Sequence, residues 1–134
     1  MIVIDAGVWV RGLIDNGATG DAARRVLADD LEWVMPVHAP IEALRTVRRY
    51  ETAGVLTTTQ ARSVAAEVID AEVAYVGPER WLLASVWRHR FDIGAYDAPY
   101  VSIAQHRDIP LVTLDRRLAS AASDVGIQVI VPTG

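Results

Sequence analysis

The side chains best suited to chemistry are four acidic residues spread along the chain: Asp5, Glu42, Asp97 and Asp115. Asp5 and Asp115 each close an apolar run, Ile2–Ile4 and Pro110–Leu114. A short run of Val, Ile and Leu closed by Asp indicates a buried parallel strand with a carboxylate at its C-terminal end. Open α/β sheets bind their ligands outside those ends. The pattern therefore predicts an acidic pocket, and the natural occupant of such a pocket is a hard divalent cation, Mg²⁺ or Mn²⁺.

Each of these acids also has a purely structural explanation. Asp5, Asp97 and Asp115 precede helical segments, where Asp is a preferred N-cap worth about 1 kcal/mol. Glu42 falls in the first turn of a helix, where Glu is common, and could pair with Arg45 on the surface. A capping carboxylate keeps a free oxygen, however, so capping and metal binding are compatible. Carboxylates brought close together raise one another's pKa unless a cation lies between them, which favours a site with metal bound.

Composition limits the class of protein. A chain of 134 residues that is 51% hydrophobic and 22% charged is expected to form one globular domain. The absence of cysteine excludes disulfides, Cys-based zinc sites and thiol catalysis. No apolar stretch approaches the roughly 18 residues of a membrane span. The first residues lack the basic region of a signal peptide, so we expect a cytoplasmic location.

The charge pattern narrows the choice of chemistry further. All 13 basic residues are arginine, which argues against P-loop nucleotidases and against phosphoaspartate folds that keep a lysine beside the phosphoryl group. The net charge of −4 is unusual for a nucleic-acid binder. Setting the four candidate acids aside leaves 13 acids (17 − 4) against 13 arginines, so an anionic substrate is not excluded.

Apolar runs alternate with amphipathic segments, which predicts strands separated by helices. We predict strands at Ile2–Ile4, Trp33–Val37, Val73–Val76, Leu111–Leu114 and Gln128–Val131, and helices at Val8–Ile14, Asp21–Ala28, Pro40–Ala53, Thr57–Asp70, Glu79–His89, Ala98–Arg107 and Arg116–Ala122. Such alternation implies right-handed βαβ units. The expected fold is therefore α/β, with a mainly parallel sheet of about five strands and helices on both faces, in a single domain over residues 1–134.

Four motifs follow one another along nearly the whole chain: Val-Ile-Asp-Ala at 3–6, Ala-Pro-Ile-Glu at 39–42, Tyr-Asp-Ala-Pro-Tyr-Val-Ser-Ile-Ala at 96–104 and Val-Thr-Leu-Asp-Arg-Arg-Leu at 112–118. In this order and spacing, the chain resembles the PIN-domain ribonucleases, specifically the VapC toxins of type II VapBC toxin–antitoxin systems. The resemblance implies a PIN-like three-layer α/β/α sandwich. It also implies that Asp5, Glu42, Asp97 and Asp115 form the catalytic acidic site and hold one or two Mg²⁺ or Mn²⁺ ions.

The resemblance implies a function as well. Its members are metal-dependent endoribonucleases that hydrolyse RNA phosphodiester bonds and act as toxins. They are typically homodimers, assemble with a VapB-type antitoxin into heterotetramers or larger complexes, and are inhibited when the antitoxin's C-terminal segment lies across the active-site groove. We therefore expect RNA and a cognate antitoxin as partners, and no membrane.

One position departs from the family pattern. The family usually has Ser, Thr or Asn two residues after its first Asp, and this chain has Gly7. An alternative function follows, namely a catalytically weakened PIN-like module that binds RNA or protein. A metal-dependent phosphatase or DNase is a third possibility. Thr113 matches a family position and is expected to support the acidic groups by hydrogen bonding, although a β-branched residue is also ordinary in a strand.

Arginine and aromatic residues supply the candidates for holding RNA. The candidate phosphate contacts are Arg45, Arg48 and Arg49 on the helix of Glu42, and Arg116 and Arg117 after Asp115. The arginine fork suits phosphate, although solvated surface arginines are equally ordinary. The three histidines, His38, His89 and His106, are scattered and are interpreted as surface or packing residues. The tryptophans, Trp9, Trp33, Trp81 and Trp87, mostly have spacings that favour the core over base stacking.

Overall fold

Strands and helices alternate along residues 1–133, the part of the chain that a computed structural model describes. Gly134, the last residue of the predicted domain, lies outside the described residues. The elements are β1 Ile2–Ile4, α1 Ala6–Ile14, α2 Ala18–Asp29, β2 Trp33–Pro36, α3 Ala39–Thr52, α4 Thr58–Asp70, β3 Ala74–Val76, α5 Arg80–Arg88, α6 Ala98–Arg107, β4 Leu111–Val112, α7 Arg116–Asp124 and β5 Val129–Ile130. Every predicted strand and helix has its counterpart.

The ends of several elements differ from the predictions by one to three residues. Two of these differences follow from local side-chain hydrogen bonds. Helix α1 begins at Ala6, two residues early, because the Asp5 carboxylate accepts the Val8 N–H and caps the helix. Strand β4 ends at Val112 rather than Leu114. The Thr113 hydroxyl accepts the Asp115 N–H at this point, which turns the chain out of the sheet and into α7.

The five strands form one fully parallel sheet in the order β3-β2-β1-β4-β5. Val3 on the central strand pairs with Val34 of β2 on one side and with Leu111 of β4 on the other. This arrangement confirms the predicted α/β class and five-stranded parallel sheet. Parallel strands need covered faces, which explains why their residues are apolar on both sides.

The strand order reverses direction between β1 and β4. The chain builds β1, β2 and β3 toward one edge, then returns through α5 and α6 to place β4 and β5 on the opposite side of β1. Right-handed crossovers therefore place α1–α4 on one face and α5–α7 on the other. The contacts of α1 with α2 and α3, and of α5 with α6, agree with this layering. Such a reversal opens a crevice at the C-terminal ends of the two flanking strands.

Helix α6 is the central helix of its layer. Its residues Ala98–Ala104 are all buried, and it packs against β1, β2 and β4. A helical segment that is buried on all sides belongs in a core, and its one serine, Ser102, accepts a 2.7 Å hydrogen bond from Ser85 of α5. The buried helix fixes the position of Asp97 at its N-terminus. Within residues 1–133, none of the helices combines the length and apolar character that crossing a bilayer demands.

Candidate active site

The crevice at the reversal between β1 and β4 contains an acidic cavity. Its volume is about 190 Å³, and its lining includes all four predicted site residues, Asp5, Glu42, Asp97 and Asp115, together with Ala6, Gly7, Val8, Tyr100 and Leu114. The fold thus brings together carboxylates from β1, α3, α6 and the β4–α7 turn. Among residues 1–133, however, no three His, Asp or Glu side chains form a ready group of metal ligands. The four acids share a cavity without a preassembled cation cage, and their roles in metal binding and catalysis stay predictions.

Asp5 is the most constrained of the four acids. It is 8% exposed, and one carboxylate oxygen accepts the Val8 N–H at 2.8 Å. The other oxygen accepts the hydroxyl of Thr113, which is fully buried. The same hydroxyl oxygen accepts the Asp115 N–H at 3.0 Å. Thr113 therefore connects the ends of β1 and β4 by hydrogen bonds, as expected of a residue that supports the acidic groups.

The environment of the cavity disfavours negative charge. Burial raises the pKa of Asp5 from 3.8 to about 6; the hydrogen bonds from Thr113 and Val8 oppose this shift, and the charges of Asp115 and Asp97 add to it. Burial and the charge of Asp115 also raise the pKa of Asp97, whereas Arg117 and His38 act to lower it. The carboxylates feel one another's charge, which is the electrostatic condition that a bound cation relieves.

Two of the three aspartates that line the cavity also cap a helix, and the third does not. Asp5 caps α1, and Asp115 caps α7 by accepting the N–H groups of Arg117 at 2.9 Å and Leu118 at 3.3 Å. Asp97 occupies the N-cap position of α6 but makes no capping hydrogen bond. The structural explanation therefore accounts for two of the three aspartates and fails for Asp97.

Glu42 is held by two residues that the sequence analysis did not assign to the site. The buried Tyr100 hydroxyl donates to a Glu42 carboxylate oxygen at 2.7 Å, and the Nε2 atom of His38 lies 3.3 Å from the same oxygen. His38 Nε2 also lies 2.9 Å from the carbonyl oxygen of Tyr96. Both neighbours of Nε2 are acceptors, so this nitrogen must carry a proton. His38, interpreted from sequence as a surface or packing residue, therefore contacts the site.

Tyr100 remains a phenol under all ordinary conditions. Burial raises its pKa far above the usual range, and the hydrogen bond to Glu42 and the charge of Glu42 raise it further. Its hydroxyl therefore keeps the proton that it donates to Glu42. The sequence carried a signal for this contact, because a tyrosine inside an otherwise apolar helix requires a partner for its hydroxyl.

The candidate arginines fall into two groups. Arg116 and Arg117 line a second cavity of about 850 Å³, formed with residues of the α5–α6 connection and α7, and the charge of Arg117 reaches Asp97. Arg45, Arg48 and Arg49 are exposed on α3 and do not line the acidic cavity. Arg48 lines a separate groove between α3 and α4.

Comparison with known proteins gives the class of the chain. The family model described as PIN domain matches residues 2–124, and the chain belongs to the PIN-domain family. Ribonuclease VapC1 of Mycobacterium tuberculosis is 31% identical over 124 residues, an alignment that spans 89% of each chain. The resemblance to the VapC members of this family is thereby confirmed.

Solved structures agree with the fold. The crystal structure of VapC20 from Mycobacterium tuberculosis, described as a sarcin-ricin loop cleaving toxin, matches with a TM-score of 0.70 at 16% identity and covers 90% of this chain and 95% of that one. VapBC2 from Rickettsia felis, solved with a DNA fragment from their promoter, matches with a TM-score of 0.67 at 13% identity and covers 98% of each chain. These likenesses confirm the PIN-like α/β/α sandwich.

The raised pKa of Asp5 predicts that the metal-free protein loses stability as the pH rises. The folded state holds the Asp5 proton up to about pH 6, against 3.8 for the ordinary group, so this contribution is fully present below about pH 4 and is lost by about pH 6. The loss should amount to about 3 kcal/mol. Asp5→Asn keeps the acceptor for Val8 and removes the charge. Urea unfolding in chelator between pH 4 and 7 should therefore show a flatter stability profile for Asp5→Asn.

The matched control for this prediction is Asp29→Asn, at an exposed position. This variant should follow the wild-type profile. If Asp5→Asn lost as much stability as wild type over the same pH range, the buried carboxylate would not be the source of the effect.

The hydrogen bond from Tyr100 to Glu42 predicts a cost for Tyr100→Phe. Removing the hydroxyl leaves a half-buried carboxylate without its best donor, which should lower the free energy of unfolding by about 1–2 kcal/mol. Equilibrium urea unfolding measures this change. Tyr75→Phe, at a partly exposed tyrosine, is the control and should be neutral. Equal stability of the two variants would show that the Tyr100 hydroxyl contributes nothing.

Proposed function

We propose that this protein is a Mg²⁺- or Mn²⁺-dependent endoribonuclease that hydrolyses RNA phosphodiester bonds and acts as the toxin of a toxin–antitoxin pair. The observation that carries the proposal is the acidic cavity at the β1–β4 reversal, where four carboxylates from distant parts of the chain line one small space. The name of the relative VapC1, a ribonuclease, and the description of VapC20 as a sarcin-ricin loop cleaving toxin support this chemistry.

The donor set fits a hard divalent cation. The charged side chains that line the acidic cavity are all carboxylates, and oxygen ligands of this type suit Mg²⁺ and Mn²⁺. The pKa values of Asp5 and Asp97 are raised although hydrogen bonds oppose the shift at Asp5 and nearby positive charge opposes it at Asp97, so the protein compensates negative charge in the cavity only in part. We assign Asp5, Glu42, Asp97 and Asp115 as the residues that would hold the ion. A bound divalent cation lowers the pKa of coordinated water and polarises phosphoryl oxygens.

The protein's own residues orient this site. The α1 N-terminus and Thr113 fix the Asp5 carboxylate, the α7 N-terminus fixes Asp115, and Tyr100 fixes Glu42. No serine, cysteine or lysine lines the cavity within residues 1–133, so the proposed hydrolysis uses water rather than a protein nucleophile. Arg116 and Arg117 are the arginines best placed to hold backbone phosphates, because they lie directly after Asp115.

The proposed partners follow from the proposed activity. An active ribonuclease toxin requires an inhibitor, and we propose a VapB-type antitoxin that covers the acidic cavity. The VapBC2 structure supports this kind of partner for a chain of the same fold. We propose a homodimeric toxin that assembles with the antitoxin into a heterotetramer or larger complex in the cytoplasm.

The direct test is an RNA cleavage assay with the purified protein. We expect cleavage of total RNA with Mn²⁺ or Mg²⁺, suppression by EDTA, and a loss of about 100-fold or more in Asp97→Asn, because a charged ligand to the metal is removed. Asp97 makes no capping bond, so this variant should fold normally. Asp29→Asn is the control and should keep full activity.

Three results would contradict parts of this proposal. Full cleavage in chelator would exclude the metal role. Intact RNA at high protein and Mn²⁺ concentration, with RNA still bound, would favour the alternative of a weakened binding module. Equal or faster hydrolysis of DNA or of phosphomonoesters in parallel reactions would favour the phosphatase or DNase alternative.

The departure at Gly7 has its own test. A Cβ atom at this exposed position would lie 3.5 Å from an Asp5 carboxylate oxygen, an ordinary contact distance, so a side chain fits there. Gly7→Ser should therefore place a hydroxyl beside Asp5, lower the Mn²⁺ concentration needed for half-maximal cleavage and raise the rate severalfold. A metal titration of RNA cleavage measures both effects.

Gly7→Ala separates the hydroxyl from the backbone effect. Replacing glycine within helix α1 should stabilise the protein by up to about 1 kcal/mol without changing the metal requirement. If Ala and Ser gave the same metal titration, the hydroxyl would have no role, and Gly7 would not weaken the site.

A further inference from the structure

The stretch from the last turn of α5 to Asp97 exposes aromatic rings that do not pack in the core. Trp87 is 67% exposed, Phe91 is 83% exposed and Tyr96 is 73% exposed, all within ten residues that lead into the acidic site. The spacing of the tryptophans favoured core positions for most of them. Trp9 is buried, Trp33 and Trp81 pack against the core, and Trp87 is the exception. Clustered exposed rings on a folded protein mark a binding surface.

An arginine lies between two of these rings. The guanidinium carbon of Arg90 lies 4.4 Å from the centre of the Trp87 ring and 4.3 Å from that of the Phe91 ring. A hydrogen bond of 2.9 Å from Arg90 to the Trp87 carbonyl oxygen holds the guanidinium in place. Each ring therefore has one face covered by Arg90, and its high exposure leaves the other face to solvent. We call Trp87, Arg90 and Phe91 the aromatic platform.

The aromatic platform borders the larger cavity and, through it, the acidic site. Phe91 lines the cavity of about 850 Å³ together with Arg116 and Arg117. Arg117 in turn donates its backbone N–H at 2.9 Å to the carboxylate of Asp115, which lines the acidic cavity. A continuous surface thus runs from the exposed rings, past two arginines, to the residues that would hold the metal.

The side chains of this surface indicate which kind of ligand it binds. Exposed ring faces stack on unpaired bases, and arginines contact the phosphates between them. The cavity lining holds two arginines and two aspartates whose charges balance, Arg116, Arg117, Asp92 and Asp124. Arg90 of the aromatic platform, outside that lining, adds one positive charge at its border, on a chain whose net charge is −4. The two carboxylates suit the amino groups of base edges.

We propose that the aromatic platform and the adjoining cavity bind unpaired nucleobases of the RNA strand that enters the acidic site. This inference rests on the proposed ribonuclease function and adds to it a base-binding surface outside the acidic cavity. The platform holds the strand by stacking on Trp87 and Phe91. The acidic cavity itself, at about 190 Å³, is too small to hold several nucleotides.

Binding measured in EDTA tests the aromatic platform separately from cleavage. The probe is a short, unstructured, fluorescently labelled oligoribonucleotide. Trp87→Leu and Phe91→Leu should each weaken its binding about fivefold or more, because leucine keeps an apolar side chain and removes the ring that stacks. Phe91→Tyr keeps the ring and should bind as wild type. Leu83→Ala, at an exposed leucine on α5, is the control and should also bind as wild type.

Tryptophan fluorescence gives a readout independent of any loss of stability. Stacking of a base on Trp87 should quench part of the wild-type emission, and this quenching should be absent in Trp87→Leu. The same oligonucleotide in a perfect duplex should quench little, because paired bases offer no free face. With Mn²⁺ present, the leucine variants should raise KM and leave kcat nearly unchanged, since the metal-holding acids are intact.

The outcomes distinguish this inference from the proposed function. Wild-type cleavage with unchanged RNA binding in both leucine variants would overturn the aromatic platform and leave the nuclease intact. RNA binding that depends on the rings, without any cleavage, would support the platform and overturn the nuclease. Unchanged RNA binding together with an altered oligomeric state, or with lost binding to an antitoxin, would identify the surface as a protein interface and refute the inference.

Discussion

One hydrogen-bonded link at the sheet's centre determines the geometry of the whole site. The buried Thr113 hydroxyl donates to Asp5 and accepts from the Asp115 backbone, so residues at the ends of β1 and β4 are joined across 108 positions of sequence. These are the two strands between which the strand order reverses. Because the crevice of a parallel α/β sheet opens at that reversal, the link holds two carboxylates where a ligand enters. The other two acids reach the same crevice from the starts of helices, Glu42 from the first turn of α3 and Asp97 from the N-cap position of α6.

The buried core sets the electrostatics as well as the geometry. Asp97 stands at the start of α6, whose first seven residues are buried, and Asp5 follows a fully buried strand, so both carboxylates sit at a boundary of low dielectric. Burial is accordingly the largest cause of the raised pKa of each. Arg117 and His38 oppose the shift at Asp97, but neither lines the cavity. The folded protein therefore stores electrostatic strain that a divalent cation would relieve.

Sequence patterns predicted the elements and the candidate acids because both depend on local rules. Apolar runs closed by Asp5 and near Asp115 identified two parallel strands, and the helix starts placed Glu42 and Asp97. The contact between Glu42 and Tyr100 was not predictable from local patterns, because it joins α3 to α6 across 58 residues, and only the need of a buried tyrosine hydroxyl for a partner pointed to it. His38 lies four residues before Glu42, a spacing at which side chains on one helix meet, so that contact did carry a local signal. Whether an aspartate caps also required the structure, since Asp5 and Asp115 cap and Asp97 does not.

In the proposed function, the acidic cavity would carry out the reaction and the larger cavity would bind the RNA strand. The acidic cavity of about 190 Å³ has room for a metal and a phosphate group, and its charge repels any phosphate that arrives without a cation. An RNA strand therefore needs attractive contacts outside it, and the nearest large surface is the 850 Å³ cavity bordered by Phe91, Arg116 and Arg117. Stacking on exposed rings tolerates any base, and arginine contacts to phosphate are likewise independent of the base sequence. Selectivity on this surface must then come from strand shape, because only an unpaired segment presents both free bases and accessible phosphates to it.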